Sequence, residues 1–144
     1  MHDARKIISL DTEATGIDWK RGAMPFMVQT CANYDRKIGE SVCPAWKSIY
    51  WLWDVDPLTR RVDVQSSDLD DIVQVIDEAN VIWLHNAKFD CHALATIGIK
   101  LPWHKVMCSL MGSHLLASNH KHNLTDTTIE HLGHDIEQFE KNVK

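Results

Sequence analysis

The residues Lys6-Ile7-Ile8-Ser9-Leu10-Asp11-Thr12-Glu13-Ala14-Thr15-Gly16 constrain this chain most. Ile7, Ile8 and Leu10 favour a short buried strand, which runs directly into two carboxylates one residue apart. Side chains alternate along a strand, so Asp11 and Glu13 leave on the same face. Each carboxylate raises the energy of ionising the other, and a divalent cation between them removes that cost. Gly16 then permits a tight turn and a close approach of the backbone to a ligand. A strand with a solvated acidic tip accounts for the same residues, so this stretch alone leaves both readings open.

A second apolar run, Val81-Ile82-Trp83-Leu84-His85, leads into Asn86-Ala87-Lys88-Phe89-Asp90. It reads as a strand followed by the first turn of a helix, with Asp90 in that turn. Strands ending at one edge of a sheet set the residues that follow them around a common cleft. Asp90 is therefore expected to face Asp11 and Glu13. Three converging carboxylates suit a hard cation with oxygen ligands, Mg²⁺ or Mn²⁺, rather than zinc.

D-x-E with T-G (Asp11, Glu13, Thr15, Gly16), then N-x-x-F-D (Asn86, Phe89, Asp90), resembles the first two motifs of the DEDD, or DnaQ-like, 3′–5′ exonucleases. The likeness is strongest to the proofreading exonuclease domain of phage-type family A DNA polymerases. It continues through Tyr50–Thr59 and His114–Asn119 and covers nearly the whole chain. The resemblance implies an α/β, ribonuclease-H-like fold, a mixed sheet flanked by helices. Its first three strands run antiparallel and later ones add beside the first. It also implies removal of terminal nucleotides from the 3′ end of single-stranded DNA with two Mg²⁺ or Mn²⁺ ions about 4 Å apart.

Carried over by motif, Asp11 would bridge both ions, Glu13 would bind the one holding the water, and Asp90 would serve the other. Thr12 and the backbone near Thr15 and Gly16 would position the terminal nucleotide. Asn86 and Phe89 join the substrate-binding set, Phe89 also supporting the Asp90 turn. A third motif, Y-x-x-x-D or H-x-x-x-x-D, supplies a water-orienting Tyr or His and a last Asp in this family. Tyr34 and Tyr50, the only tyrosines, come far too early. His122–Asp126 and His131–Asp135 have the spacing with His in place of Tyr. Both precede or overlap Leu132-Gly133, which resembles a stretch well upstream of the third motif.

Residues 1–144 are thus expected to form a single exonuclease-like domain whose C-terminal part lies elsewhere, in a polymerase domain or downstream polypeptide. The alternative is a non-catalytic module of the same fold that binds nucleic acid or assembles with a polymerase. An RNA-trimming exonuclease is a variant of the first reading.

A net charge of −5 argues that this piece alone holds DNA weakly, with little counterion release. No stretch approaches the ~20 apolar residues of a membrane span, and the N-terminus lacks a secretory apolar region. Cys31, Cys43, Cys91 and Cys108 form no C-x-x-C pair, so reduced thiols and a cytoplasmic location are expected, in the bacterial host if the chain is phage-encoded. Cys108, His114, His120, His122, His131 and His134 invite a zinc reading but lack the regular short spacings of such sites. Adjacent residues on a helix point about 100° apart, so Cys91 and His92 make a poor nucleophile–base pair.

Between the motifs, Gly22 and Pro25 read as a loop carrying Lys20 and Arg21, which either meet phosphate or are solvated. Strands are expected at Phe26–Tyr34 and Ser48–Trp53, with Asp35–Gly39 a turn and Arg61–Val64 a possible addition to the sheet. Trp51 and Trp53 share a face, either to stack bases or to pack the core. A helix over Asp68–Ala79 carries an apolar stripe at Leu69, Ile72, Val73 and Ile76, with Ser67 as N-cap. Further helices are expected from Asp90's turn to Gly98, over Ser109–Ala117, and over Leu124–Leu132 between Asn123 and Gly133. The family commonly has Asp where Cys108 stands before the second of these helices, a lost cap that Ser109 partly replaces. The tail from Asp135 has helical composition without a core stripe.

Overall fold

A computed structural model describes residues 6–38 and 41–137, with backbone alone for 34–38 and 41–44. Five strands form one sheet: β1 (Ile7–Ala14), β2 (Pro25–Ile38), β3 (Ser41–Leu52), β4 (Val81–Leu84) and β5 (Val106–Cys108). Their order is β3-β2-β1-β4-β5, antiparallel from β3 to β1 and parallel from β1 to β5. Helices α1 (Ser66–Glu78), α2 (Ala87–Thr96), α3 (Ser109–Leu116) and α4 (Leu124–Leu132) complete the described fold. This is the expected α/β, ribonuclease-H-like arrangement, with later strands added beside the first.

The pleat sorts the strands into two faces. Ile8, Leu10 and Thr12 of β1, Val28 and Thr30 of β2, and Ile82 and Leu84 of β4 are buried on one side. Ile72 and Ile76 of α1 and Ala87 and Leu94 of α2 cover that side, joining the apolar strand residues in one core. Burying each large aliphatic side chain contributes about 1.5–3 kcal/mol. Trp51 and Trp53 belong to this core, and the Trp53 indole N–H donates to an Asp68 carboxylate oxygen at 2.8 Å. Base stacking on the Trp51–Trp53 face is thereby ruled out. The opposite face shows Ser9, Asp11, Gln29 and Tyr50, all exposed.

Several local expectations are corrected. β2 runs through Ile38, so the turn expected from Asp35 is strand at least that far, while Gly39 lies outside the described residues. Residues 61–64 do not join the sheet; Val62 makes only an isolated bridge to Val55 across the Asp56 turn. α1 starts at Ser66 with Gln65 as its N-cap, two residues earlier than Ser67 implies. Val73 is exposed and Val75 packs against the core instead. The stretch between β1 and β2 holds a 3₁₀ turn, Trp19–Arg21, capped by Asp18 and closed by Gly22 at φ 91°.

The left-handed residue there is Gly22. Gly16 has no positive φ, and a Cβ on it would make an ordinary 3.8 Å contact with Ala23, so the bend at Thr15 and Ile17 does not depend on glycine there. α4 has the expected bounds, with Asn123 Oδ1 accepting from the Asp126 N–H and Gly133 closing it. Residues 138–144 of the tail lie outside the description. Among the described residues no helix is long and apolar enough to cross a membrane.

Candidate active site

The site forms where two neighbouring strands part. β1 and β4 pair only from Ile7↔Val81 to Ser9↔Trp83, after which β1 continues alone on that edge. Asn86 adopts a left-handed conformation, φ 64° and ψ 50°, and swings the chain from β4 into α2. Asn tolerates this region better than most residues, because its short polar side chain can bond locally. The turn delivers Asp90 to the vacant edge. Its carboxylate accepts from the Thr12 backbone N–H at 3.0 Å and from the Thr12 hydroxyl at 2.9 Å.

Asp90 is 1% exposed. Burial pushes its pKa up to about 7, against the lowering pull of the Thr12 hydroxyl, and the Asp11 charge pushes the same way as burial. Glu13 is also raised, first by partial burial and then by Asp11. The Asp11 charge thus reaches both Glu13 and Asp90. Asp11 lies on the open face, where Gln29 Nε2 donates to its Oδ2 at 2.9 Å. Gln29 is its antiparallel partner on β2, and Tyr50 of β3 is level with Gln29 in turn.

These carboxylates do not form a ready-made cage. Among the described residues no three His, Cys, Asp or Glu side chains are placed to hold a metal ion. Asp11 is engaged by Gln29 and Asp90 by Thr12. The donor set nonetheless fits a hard divalent cation, since carboxylate oxygens are its preferred ligands and positive charge would relieve both raised acids.

The remaining candidates are placed as follows. The Thr15 N–H donates to the Met24 carbonyl at 2.9 Å and the Met24 N–H to Thr15 Oγ1 at 3.1 Å, so Thr15 closes the loop after β1. Phe89 meets Trp19 edge to face, ring centroids 5.2 Å apart, tying that loop to α2. Arg21 pairs with Asp18, and Lys20 is exposed.

Cys108 is the N-cap of α3 without a cap hydrogen bond from its side chain. Burial raises its thiol, but the backbone N–H groups of Met111, Ala87, Asn86 and Leu110 outweigh burial and leave it lowered. Ser109 does not replace the cap, because its hydroxyl donates to the Leu84 carbonyl and meets His85 Nδ1 at 2.9 Å.

The histidines are dispersed. His122 is buried, with Nδ1 2.9 Å from Ser113 Oγ and its ring against His114 at a centroid distance of 3.6 Å. His120 pairs with Glu130. Asp126 is taken up by Asn123 at the start of α4, and Asp135 accepts from the Glu137 N–H. Neither His122–Asp126 nor His131–Asp135 is bonded to the three acids.

Gln29, His85 and Trp19 are the site neighbours that the motifs did not flag. His85 directly follows β4 and lies within reach of the Asp11 charge. Burial holds His85 below the ordinary imidazole range, against the raising effects of the His122 backbone carbonyl and of Asp11. Its apolar-strand period, shared with Val81 and Trp83, was the available signal.

No protein-family model matches the sequence, and no curated protein matches it. Solved structures do share the fold. Brucella melitensis NrnC aligns with a TM-score of 0.62 at 18% identity, over 93% of this chain and 56% of that one. NrnC with bound Mg²⁺ aligns with a TM-score of 0.57 at 17% identity, over 93% and 57%. The apo form of a nuclease aligns with a TM-score of 0.58 at 22% identity, over 92% and 54%. The chain spans little more than half the length of these structures, and the likeness is one of fold.

Proposed function

We propose that the chain carries the acid site of a metal-dependent 3′–5′ exonuclease acting on single-stranded DNA. The observation that supports it is the Asp90 carboxylate on the Thr12 amide, which ties Asp90 to the residue between Asp11 and Glu13. The fold shared with a nuclease, and with a neighbour that binds Mg²⁺, supports the reading.

Two bound Mg²⁺ or Mn²⁺ ions would activate the attacking water and stabilise the leaving 3′ oxygen. Asp11, Glu13 and Asp90 would hold them, with Asp11 released from Gln29. Thr12 fixes Asp90 through two hydrogen bonds and so sets where its carboxylate stands. Thr15 and the Trp19–Phe89 contact hold the loop that borders the terminal nucleotide. The fourth acid and the water-orienting Tyr or His would come from a further segment, in a polymerase domain or a separate chain.

The test follows a 5′-labelled single strand, DNA and RNA in parallel, with Mg²⁺ or Mn²⁺ and with and without a segment carrying Y-x-x-x-D, for shortening from its 3′ end. Asp11→Ala and Asp90→Asn should each remove the activity, and equal activity in Asp11→Ala would end the proposal. The engagement of Asp11 by Gln29 favours a second reading, a non-catalytic module of this fold. Binding of divalent metal that depends on Asp11 separates the two.

A further inference from the structure

The outer side of α2 carries a groove of about 340 Å³ that the acid site does not use. Lys88, His92 and Ala95 recur at helical spacing and form one wall, turned away from the buried Asp90 and Leu94. Lys100 and Trp103, from the segment after α2, form the other, and buried Leu101 anchors that segment in the core.

Three observations single this groove out. None of its described lining residues is acidic, in a chain of net charge −5. Both lysines are exposed. Trp103 is 67% exposed, so a large indole is presented to solvent in a groove that two lysines also line. A flat aromatic surface in a groove with two ammonium groups matches the repeating chemistry of a single strand, ring faces alternating with phosphates. Lys88 and Asp90 both lie in the first turn of α2, on opposite sides of the helix. From Lys88 to Ala95 the helix rises about 10 Å at roughly 1.5 Å per residue.

We propose that this groove is a second contact for the single-stranded nucleic acid, on the side of α2 away from the acid site, a base stacking on Trp103 and phosphates meeting Lys88 and Lys100. The proposal rests on the nuclease reading for its biological sense, and its test is kept independent of hydrolysis. A ring face and a phosphate are common to DNA and RNA, so both strand types are assayed.

Anisotropy of a 5′-labelled oligothymidylate and oligouridylate of about eight residues is measured in EDTA at low salt, with the full chain. EDTA removes any metal-bridged contact with the acids, so failure here is separate from failure of metal-dependent cleavage. Trp103→Ala should weaken the tighter of the two complexes by about 5- to 150-fold, the range for one stacked base. Trp103→Phe should restore most of it. The Lys88→Gln/Lys100→Gln double variant should lower the salt slope by about 1.4, at about 0.7 per single-strand phosphate. Melting temperatures are taken alongside, because the substituted side chains are exposed and folding should be unchanged. Unaltered affinity in Trp103→Ala, or a loss that Trp103→Phe does not restore, would overturn the proposal. So would wild-type protein that binds neither strand.

Discussion

Both hydrogen bonds of Thr12, from its backbone N–H and its hydroxyl, end on the same carboxylate oxygen of Asp90. One residue thus completes the edge of β1 where β4 leaves it and fixes the depth of the third acid. The arrangement places ionisable groups where charge is costly, and that cost has a measurable sign.

The first prediction concerns pH. Asp90 has its folded pKa raised from 3.8 to about 7, so between those values the folded chain holds a proton that the unfolded chain has released. Stability must then fall as pH rises through this window and level off above it. Every tenfold difference in proton affinity between the two states corresponds to about 1.4 kcal/mol. Glu13, also raised, acts in the same direction. Asp90→Asn keeps an oxygen acceptor for Thr12 and carries no charge. In EDTA its melting temperature should therefore gain on that of the wild type as pH rises towards 7. Parallel profiles for the two proteins would show that Asp90 is not the group responsible.

Metal should reverse this penalty, because a coordinated carboxylate stays ionised. Mg²⁺ or Mn²⁺ should raise the melting temperature at mildly alkaline pH, by up to about 2.7 kcal/mol of stability at a hundredfold excess over Kd. Asp11→Ala should abolish the increase. A similar rise in both proteins would put the metal elsewhere.

Asn86 offers a test of whether a motif residue serves the substrate or the backbone. At φ 64° a β-branched side chain is strained, whereas glycine is at ease. Asn86→Val should lose about 1–2 kcal/mol or more in urea unfolding, and Asn86→Gly far less. If Asn86→Gly keeps stability but weakens substrate binding, the side chain itself contacts the nucleotide.

The sequence was most informative where one physical requirement dominated. Asp11 and Glu13 alternate with buried Leu10 and Thr12 along β1, and α4 lies between Asn123 and Gly133, so period and capping were enough. Where the outcome depended on distant partners, local patterns fell short. β5 is three residues long, and only its pairing with β4 makes it a strand. Gln29 meets Asp11 because of a strand register that no local signal sets. Trp19 has the local signature of a loop residue, and only α2 brings Phe89 against it. Val73 and Val75 exchanged places because the helix faces the sheet at an angle that its stripe alone left open. The chain bends around Gly16 as expected, but the left-handed position fell at Gly22.

The last prediction concerns completion of the site. Asp126 and Asp135 are held by local hydrogen bonds, and His122 by Ser113 and His114. With no fourth acid or water-orienting group at the site among the described residues, residues 1–144 should degrade single-stranded DNA poorly. One positioned acid–base group alone is typically worth about 10²–10⁴-fold. The open sheet face also leaves Tyr50 at 69% and Leu52 at 61% exposure, with Leu115 and Leu116 of α3 at 85% and 82%. Such surface suits a covering segment. Adding a polypeptide that carries Y-x-x-x-D, in the same chain or as a separate one, should raise 3′-end degradation and the melting temperature together. Strong Asp90-dependent activity from residues 1–144 alone would refute this. It would also give the third-motif role to His122–Asp126 or His131–Asp135, which substituting Asp126 and Asp135 in turn would distinguish.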